Sequence, residues 1–201
     1  MTPTDLPGRV AIPSLPEQTR DTPGTPSPLE HFNTAPADAV MPPLLTCLRS
    51  LHWAHRIAVH RPYPTLDALL AASDEAAYDL TADDLAEALA GEALPVLPDD
   101  AYAAARTALS AAHGAYETQF GHTFAICLDG LPPAELPDHL LAAIRSRLTN
   151  DPEEERVVTA EELRRLARGR LLARFGDPRD AATAPGTGNG TAGSYRAVLG
   201  G

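Results

Sequence analysis

The sequence predicts an all-α protein. No segment shows the alternation of apolar and polar residues that is typical of a half-buried strand. Several segments instead repeat apolar residues every three or four positions, as one face of a helix does. Residues typical of helix N-termini, among them Ser27, Thr65, Thr81 and Asp151, stand directly before these segments. We therefore expect about seven or eight helices of short to medium length.

The chain has 201 residues, enough for one domain with a substantial core, and its ends differ from its middle. Residues 1–28 are crowded with Pro, Thr, Ser and Asp, and residues 176–201 are rich in Gly, Ala and Thr. Neither end has the apolar content that would offset the entropy cost of ordering it. The sequence therefore predicts one helical domain at 29–175 between two disordered tails, 1–28 and 176–201.

The first half of the domain is predicted to contain five helices. Ser27 and Glu30 form the pattern of a capping box, which starts a short first helix. The second helix starts near Pro36, and Pro42 and Pro43 are expected to kink it or delay its start. Its expected core residues are Val40, Leu44, Leu45 and Leu48. The other three helices are expected at 51–60, 66–78 and 82–90.

The second half is predicted to contain three helices. Asp99 and Asp100 are expected to begin a long helix. This helix stops at Gly121, because glycine takes the left-handed conformation of a helix C-cap at little cost. A short apolar segment and a loop follow, and the next helix is expected from Pro133 or Ala134 to Leu148. The last helix ends near Phe175, and its acidic start and arginine-rich end complement the helix dipole without any functional role.

Charge and composition exclude several classes of function. The formal net charge is −11 and lysine is absent, so nucleic acid is not expected as a partner. No stretch resembles a signal peptide or a membrane span, which favours a soluble, cytoplasmic protein without a membrane partner. Cys47 and Cys127 are expected to be buried reduced thiols. His52 and His55 could share a helix face, but no acidic cluster completes a metal site, so no metal is expected.

Motifs along the chain resemble one known family in order. Phe32–Ala37 is similar to its opening F-N-x-A, and the segment Tyr116–Ile126 is similar to its turn Y-x-x-K-F-G-F-P-F-I-I. The segment from Arg147 to Glu155 resembles R-L-x-N-D-x-x-x-E, and residues 168–171 resemble the terminal R-L-R-L. Together these motifs resemble the 2-oxo-4-hydroxy-4-carboxy-5-ureidoimidazoline (OHCU) decarboxylases, and the resemblance covers 29–175.

The resemblance implies an all-α, homodimeric enzyme of urate breakdown. Such an enzyme decarboxylates OHCU to (S)-allantoin without a cofactor, and its partner is therefore a small ureidoimidazoline. Its pocket combines a His-Pro pair, a Ser-x-x-Glu-Gln segment, an arginine of the last helix and backbone groups of the Phe-Gly turn. Matching these motifs marks Arg170, with Arg168 as the next best match, and also Ile126, Phe120 and Gly121 as substrate-binding residues.

The chain departs from this family at both acid–base motifs. Glu92 and Ala93 stand where the His-Pro pair belongs, which makes Glu92 the candidate catalytic residue. The Ser-x-x-Glu-Gln segment is absent, and Asp99 and Asp100 are the nearest acids. Two functions therefore stay open: a decarboxylase of purine catabolism, and a degenerate homologue that binds a ureide or a partner protein without turnover. A third alternative is a purely structural dimerisation module.

Overall fold

Eight α-helices and one short 3₁₀-helix form the regular structure of residues 26–95 and 103–176, the part of the chain that the computed structural model describes. The α-helices are α1 (Pro28–Thr34), α2 (Ala37–Cys47), α3 (Leu51–Val59), α4 (Leu66–Tyr78), α5 (Ala82–Leu89), α6 (Ala103–Phe120), α7 (Leu136–Arg147) and α8 (Pro152–Phe175). No strand occurs in those residues, so the all-α prediction is confirmed. Almost all of both predicted tails, and also Asp99 and Asp100, lie outside the described residues, so the domain boundaries stay predictions.

Helix starts were predicted well because their signals are local. Ser27, Thr81 and Asp151 each form a capping box, in which the side chain accepts from a backbone N–H of the first turn and an acid reaches back to the cap. The Thr65 hydroxyl accepts from the Ala68 N–H and starts α4. These four contacts confirm the predicted caps.

Helix α2 starts near Pro36 as predicted, whereas the start of α7 differs from its prediction. Helix α2 begins at Ala37 and runs without interruption through Pro42 and Pro43, so the prolines do not delay it. They remove two N–H donors from the helix ladder, but Val40, Leu44 and Leu48 still bury the inner face. Helix α7 begins only at Leu136, after a 3₁₀-turn at Pro133–Glu135.

The buried apolar side chains form two clusters, and the segment 124–126 contributes to both. The larger cluster contains side chains from the first five helices and from the C-terminal part of α8, and Trp53 and Leu163 belong to it. The smaller one joins α6 to α7 and contains Leu109, Tyr116, Phe124 and Ile126. Helix α8 packs most extensively on α4, and α6 packs on α7. The segment after α6 therefore lies where the two clusters meet.

Candidate functional site

The turn after α6 redirects the chain into the interior. Helix α6 ends at Phe120, and Gly121 has φ +76° while its N–H donates to the Glu117 carbonyl. This confirms the predicted glycine C-cap, because few other residues adopt that φ without strain. Residues 124–126 then carry their side chains inward, with exposed fractions of 8% or less.

A buried ion pair fixes this segment to the last two helices. Arg147 of α7 and Glu155 of α8 are 7% and 1% exposed, and Arg147 Nε donates to Glu155 Oε1 over 2.8 Å. Arg147 Nη1 also donates to the Ala125 carbonyl over 2.7 Å, and its Nη2 donates to the Thr159 hydroxyl over 2.7 Å. The guanidinium carbon lies 4.4 Å from the centre of the Phe124 ring. The pair therefore holds both the backbone and the ring of the segment.

Burial and the hydrogen bonds of this network shift the pKa values of the Glu155 carboxyl and the Tyr116 hydroxyl. Burial by itself would raise the pKa of the Glu155 carboxyl, but hydrogen bonds from Arg147 and Tyr116 lower the pKa below its ordinary value. The Tyr116 hydroxyl donates to Glu155, and burial, followed by this bond, raises the pKa of Tyr116. Asn150 Nδ2 donates to the second Glu155 oxygen over 2.9 Å. Glu155 is therefore held as a carboxylate, and its hydrogen bonds stabilise the fold by joining α6, α7 and α8.

Glu92 and Arg170, two residues predicted for the site, meet directly. Arg170 Nη1 donates to Glu92 Oε1 and its Nη2 donates to Glu92 Oε2, each over 2.7 Å. Arg170 Nη1 also donates to the Cys47 carbonyl over 3.0 Å. The Glu92 side chain is 7% exposed and the Arg170 side chain is 38% exposed. The hydrogen bonds to Glu92 raise the pKa of the Arg170 guanidinium. The contact is a bidentate arginine–carboxylate pair that keeps one edge towards solvent.

Phe120 and Gly121, two other predicted residues, lie apart from this pair. Phe120 and Gly121 line a cavity of about 390 Å³ between α5, the turn and the start of α8, and this cavity does not include Glu92, Ile126 or Arg170. Ile126 is 8% exposed and packs in the smaller apolar cluster. The structure therefore brings Glu92 and Arg170 together and separates Phe120 and Gly121 from them. Arg168 Nη1 donates to Asp74 of α4 over 2.9 Å, so the alternative arginine is engaged on another face.

Comparison with known families gives a match over most of the chain. The OHCU decarboxylase model matches residues 33–99 and 95–172. This chain belongs to the OHCU decarboxylase family. The family sequence thus extends from the end of α1 to the last turn of α8, and it includes Glu92, Ile126 and Arg170.

Solved structures share the fold of this OHCU decarboxylase family member. A crystal structure of (S)-allantoin synthase is 22% identical with a TM-score of 0.60, and the match covers 75% of this chain and 54% of that one. A crystal structure of OHCU decarboxylase in the presence of (S)-allantoin is 22% identical with a TM-score of 0.58, and covers 71% of this chain and 100% of that one. The chain thus spans about half the length of the first structure. No curated protein matches the sequence.

Metal ligands and membrane-spanning helices are two further features on which the sequence makes predictions. Within residues 26–95 and 103–176, no group of three or more His, Cys, Asp or Glu side chains could hold a metal ion. His52 instead lies 3.1 Å from Asp84, next to the cap of α5. Cys47 and Cys127 are free thiols, and Cys47 is buried as predicted, whereas Cys127 is only partly buried. Burial raises the pKa of both thiols. None of the helices in the described ranges is long and apolar enough to cross a membrane. Homodimerisation stays a prediction.

Sequence reasoning missed the structural role of the acids of α8. Glu155 was interpreted as a favourable charge at the helix N-terminus, but its side chain is fully buried against Arg147. A signal was present, because Glu155 and Thr159 continue the stripe of Leu163, Ala167 and Leu171 by one residue per turn. A charged residue in line with an apolar stripe predicts a buried partner.

Proposed function

We propose that this chain is an OHCU decarboxylase-like protein of purine catabolism that binds a carboxylate-bearing ureidoimidazoline through Arg170. The observation that carries the proposal is the bidentate contact of Arg170 with a carboxylate, at a partly exposed position of α8. A planar guanidinium recognises two carboxylate oxygens at once, and a ligand carboxylate can take the same geometry. Membership of the family supports the choice of ligand class.

Binding would require an exchange of partners at Arg170. The ligand carboxylate would replace Glu92, whose side chain is 7% exposed. Glu92 would then lie buried beside a second anion without its counter-charge, and both conditions favour its protonated form. The exchange would turn a paired carboxylate into a carboxylic acid close to the ligand.

A protonated Glu92 could supply the proton that decarboxylation needs. When the bond between the ring carbon and the carboxylate breaks, carbon dioxide leaves and the electron pair stays on the carbon as an enolate-like anion. Glu92 would donate its proton to one face of that carbon, form (S)-allantoin and recover a proton from water. The proposed sequence uses no cofactor.

A second candidate function is binding without turnover. It is favoured by the same pair, because a carboxylate that is neutralised by a guanidinium is a poor proton donor. The residues at the family's His-Pro positions, Glu92 and Ala93, offer no imidazole in its place. In this case the chain would hold a purine-derived ureide and release it unchanged.

The test of catalysis uses the unstable substrate itself. OHCU is generated from urate in situ, the protein is added, and (S)-allantoin is followed by circular dichroism. The enzyme proposal expects faster formation than spontaneous decay, and it expects Glu92→Gln to abolish the acceleration. An unaccelerated reaction would leave only the binding function, and an unchanged rate in Glu92→Gln would show that Glu92 is not the acid.

The test of binding uses allantoate, a stable ureide that carries a carboxylate, and isothermal titration calorimetry. Replacing Arg170 by Ala is expected to weaken binding by about 1.5–3 kcal/mol, the value of a hydrogen bond to a charged group. Arg168→Ala is the matched control, since Arg168 lies on the same helix and pairs with Asp74 instead. Equal affinities for the wild type and the Arg170→Ala variant would contradict both candidate functions.

A further inference from the structure

The segment after the α6 turn runs as an extended chain between the two apolar clusters. Phe124 and Ile126 belong to the smaller cluster, while Ala125 between them belongs to the larger one. Side chains that alternate in this way are characteristic of extended backbone. In such a chain, the N–H and C=O of one residue point to one edge, and those of its neighbours point to the other.

Two charged side chains hold one edge of this segment. The Ala125 carbonyl accepts from Arg147 Nη1 over 2.7 Å, and the Cys127 N–H donates to Glu162 Oε2 over 2.8 Å. Each bond fixes a whole peptide plane, because a trans peptide is planar and its C=O and N–H are antiparallel. The first plane contains the Ile126 N–H and the second contains the Ile126 C=O. The two anchors therefore direct both polar groups of Ile126 to the opposite edge.

These two groups of Ile126 have no hydrogen-bond partner among the residues that the structure describes. The residue is only 8% exposed, and backbone groups at such depth are nearly always paired. The free N–H of Ile126 needs an acceptor, and the free C=O beside it needs a donor. A neighbouring β-strand offers a C=O and an N–H in this arrangement, and a ureide group offers the same two groups side by side.

The Cys127 N–H is the main hydrogen-bond partner of Glu162. Its bond to the Cys127 N–H is its shortest, since its other oxygen receives only a 3.4 Å contact from Arg165. Arg165 has a closer partner in Glu161, whose Oε1 lies 3.0 Å from its Nε. The side chain of Glu162 is 14% exposed, so water competes little for the bond. Removal of Glu162 would therefore release the second peptide plane while Arg165 kept a partner.

We propose that Glu162 is a positioning residue, which orients the Ile126 carbonyl for a ureide ligand through its bond to the Cys127 N–H. The ligand half of this inference rests on the function proposed above, whereas the orientation of the peptide does not. Arg147 does the equivalent for the Ile126 N–H, but its place in the buried network makes it a poor test. Glu162 contributes no atom to the ligand itself.

The experiment compares three variants of the full chain. Glu162→Leu removes the acceptor, Glu162→Gln keeps an oxygen that can accept from Cys127, and Glu161→Leu removes the neighbouring carboxylate as a control. Amide chemical shifts and hydrogen exchange of Ile126 and Cys127 are measured by NMR without ligand. Affinity for (S)-allantoin is measured by calorimetry, and thermal unfolding is recorded for each variant.

The inference expects a selective effect. In Glu162→Leu the Cys127 amide should exchange at least about tenfold faster, and (S)-allantoin affinity should fall about tenfold or more. Glu162→Gln should restore both to within about threefold, and Glu161→Leu should change neither. Unchanged exchange in Glu162→Leu would overturn the anchor. Faster exchange with wild-type affinity would overturn its role in binding. Absence of (S)-allantoin binding by the wild type would overturn the ligand half of the inference, while the exchange pattern still decides the positioning. The proposed function is tested separately, through the ligand carboxylate that (S)-allantoin lacks.

Discussion

At the scale of single residues, burial decides what a charge does. Arg147 and Glu155 are the charged residues that the described part of the chain buries most completely. The Arg147 guanidinium donates to Glu155 through hydrogen bonds of 2.8 and 2.5 Å. It also donates to the Thr159 hydroxyl and to the Ala125 carbonyl. Such a pair costs desolvation energy when it forms, but breaking it costs more, because one buried charge remains without a partner.

Replacing Arg147 alone should therefore be severe. Arg147→Met is expected to lower the free energy of unfolding by about 3–5 kcal/mol, because Glu155 stays buried without a counter-charge. Urea denaturation followed by circular dichroism measures the change. The double variant Arg147→Met/Glu155→Leu is the control and should recover most of the loss, because apolar side chains of similar volume can replace a buried pair. A loss below about 1 kcal/mol in the single variant would contradict this reasoning.

The sequence allowed some residue-scale predictions and not others. Gly121 was predicted correctly, since a glycine that follows a helical pattern has a local explanation. The contact of Glu92 with Arg170 joins residues that are far apart in the chain. Their meeting depends on how α5 and α8 pack, which no local pattern encodes. Motif matching named both residues without indicating that they bind each other.

At the scale of helices, the N-caps show how much local chemistry determines. Asp151 accepts from the N–H groups of Glu153 and Glu154, each over 2.9 Å, and so satisfies two donors that α8 leaves free. Helix α7 has no such side-chain contact at its N-cap position, Glu135. The two helices therefore provide a matched comparison within one molecule.

Removing the cap of α8 should cost about 1 kcal/mol. Asp151→Ala takes away both hydrogen bonds and a negative charge at the positive end of the helix dipole. Glu135→Ala is the control and should change the free energy of unfolding by less than about 0.5 kcal/mol. Thermal or urea unfolding of the two variants measures the difference. Equal effects would mean that the cap contributes little to the stability of α8.

Helix boundaries that depend on packing were predicted less well. The rule that an interior proline interrupts a helix is local, yet α2 continues through Pro42 and Pro43. Burial of Val40, Leu44 and Leu48 against the larger cluster compensates for the missing donors. This compensation is a property of the folded molecule, so the position of the prolines could not predict it.

At the scale of the whole molecule, the two ends of the described part meet. The Phe32 ring of α1 lies 4.7 Å from the Phe175 ring of α8, and Phe32 also stacks near Tyr63. The first helix therefore packs on the last turn of the last helix. This closure supports our proposal that the domain extends over about 29–175.

Removing residues 1–25 and 177–201 should leave the folded domain intact. The shortened chain is expected to unfold within about 3 °C of the full chain, because the Phe32–Phe175 contact stays in place. Differential scanning calorimetry compares the two proteins. Phe175→Ala in the full chain is the control that removes the contact, and a loss of about 3–5 kcal/mol is expected. A large drop in the midpoint of the shortened chain would place part of the domain beyond these boundaries.

Glu92 and the arginine that it binds belong to the same chain, so the Glu92 carboxylate acts as an internal competitor whose concentration cannot be diluted. An external anion can bind only those molecules in which the Arg170 guanidinium is not occupied by Glu92. The apparent dissociation constant of the anion is therefore its intrinsic constant divided by the fraction of such molecules. Removing the competitor would tighten binding of an anionic ligand, while the same change would delete the proposed proton donor. Affinity and turnover are therefore coupled with opposite signs through one carboxylate.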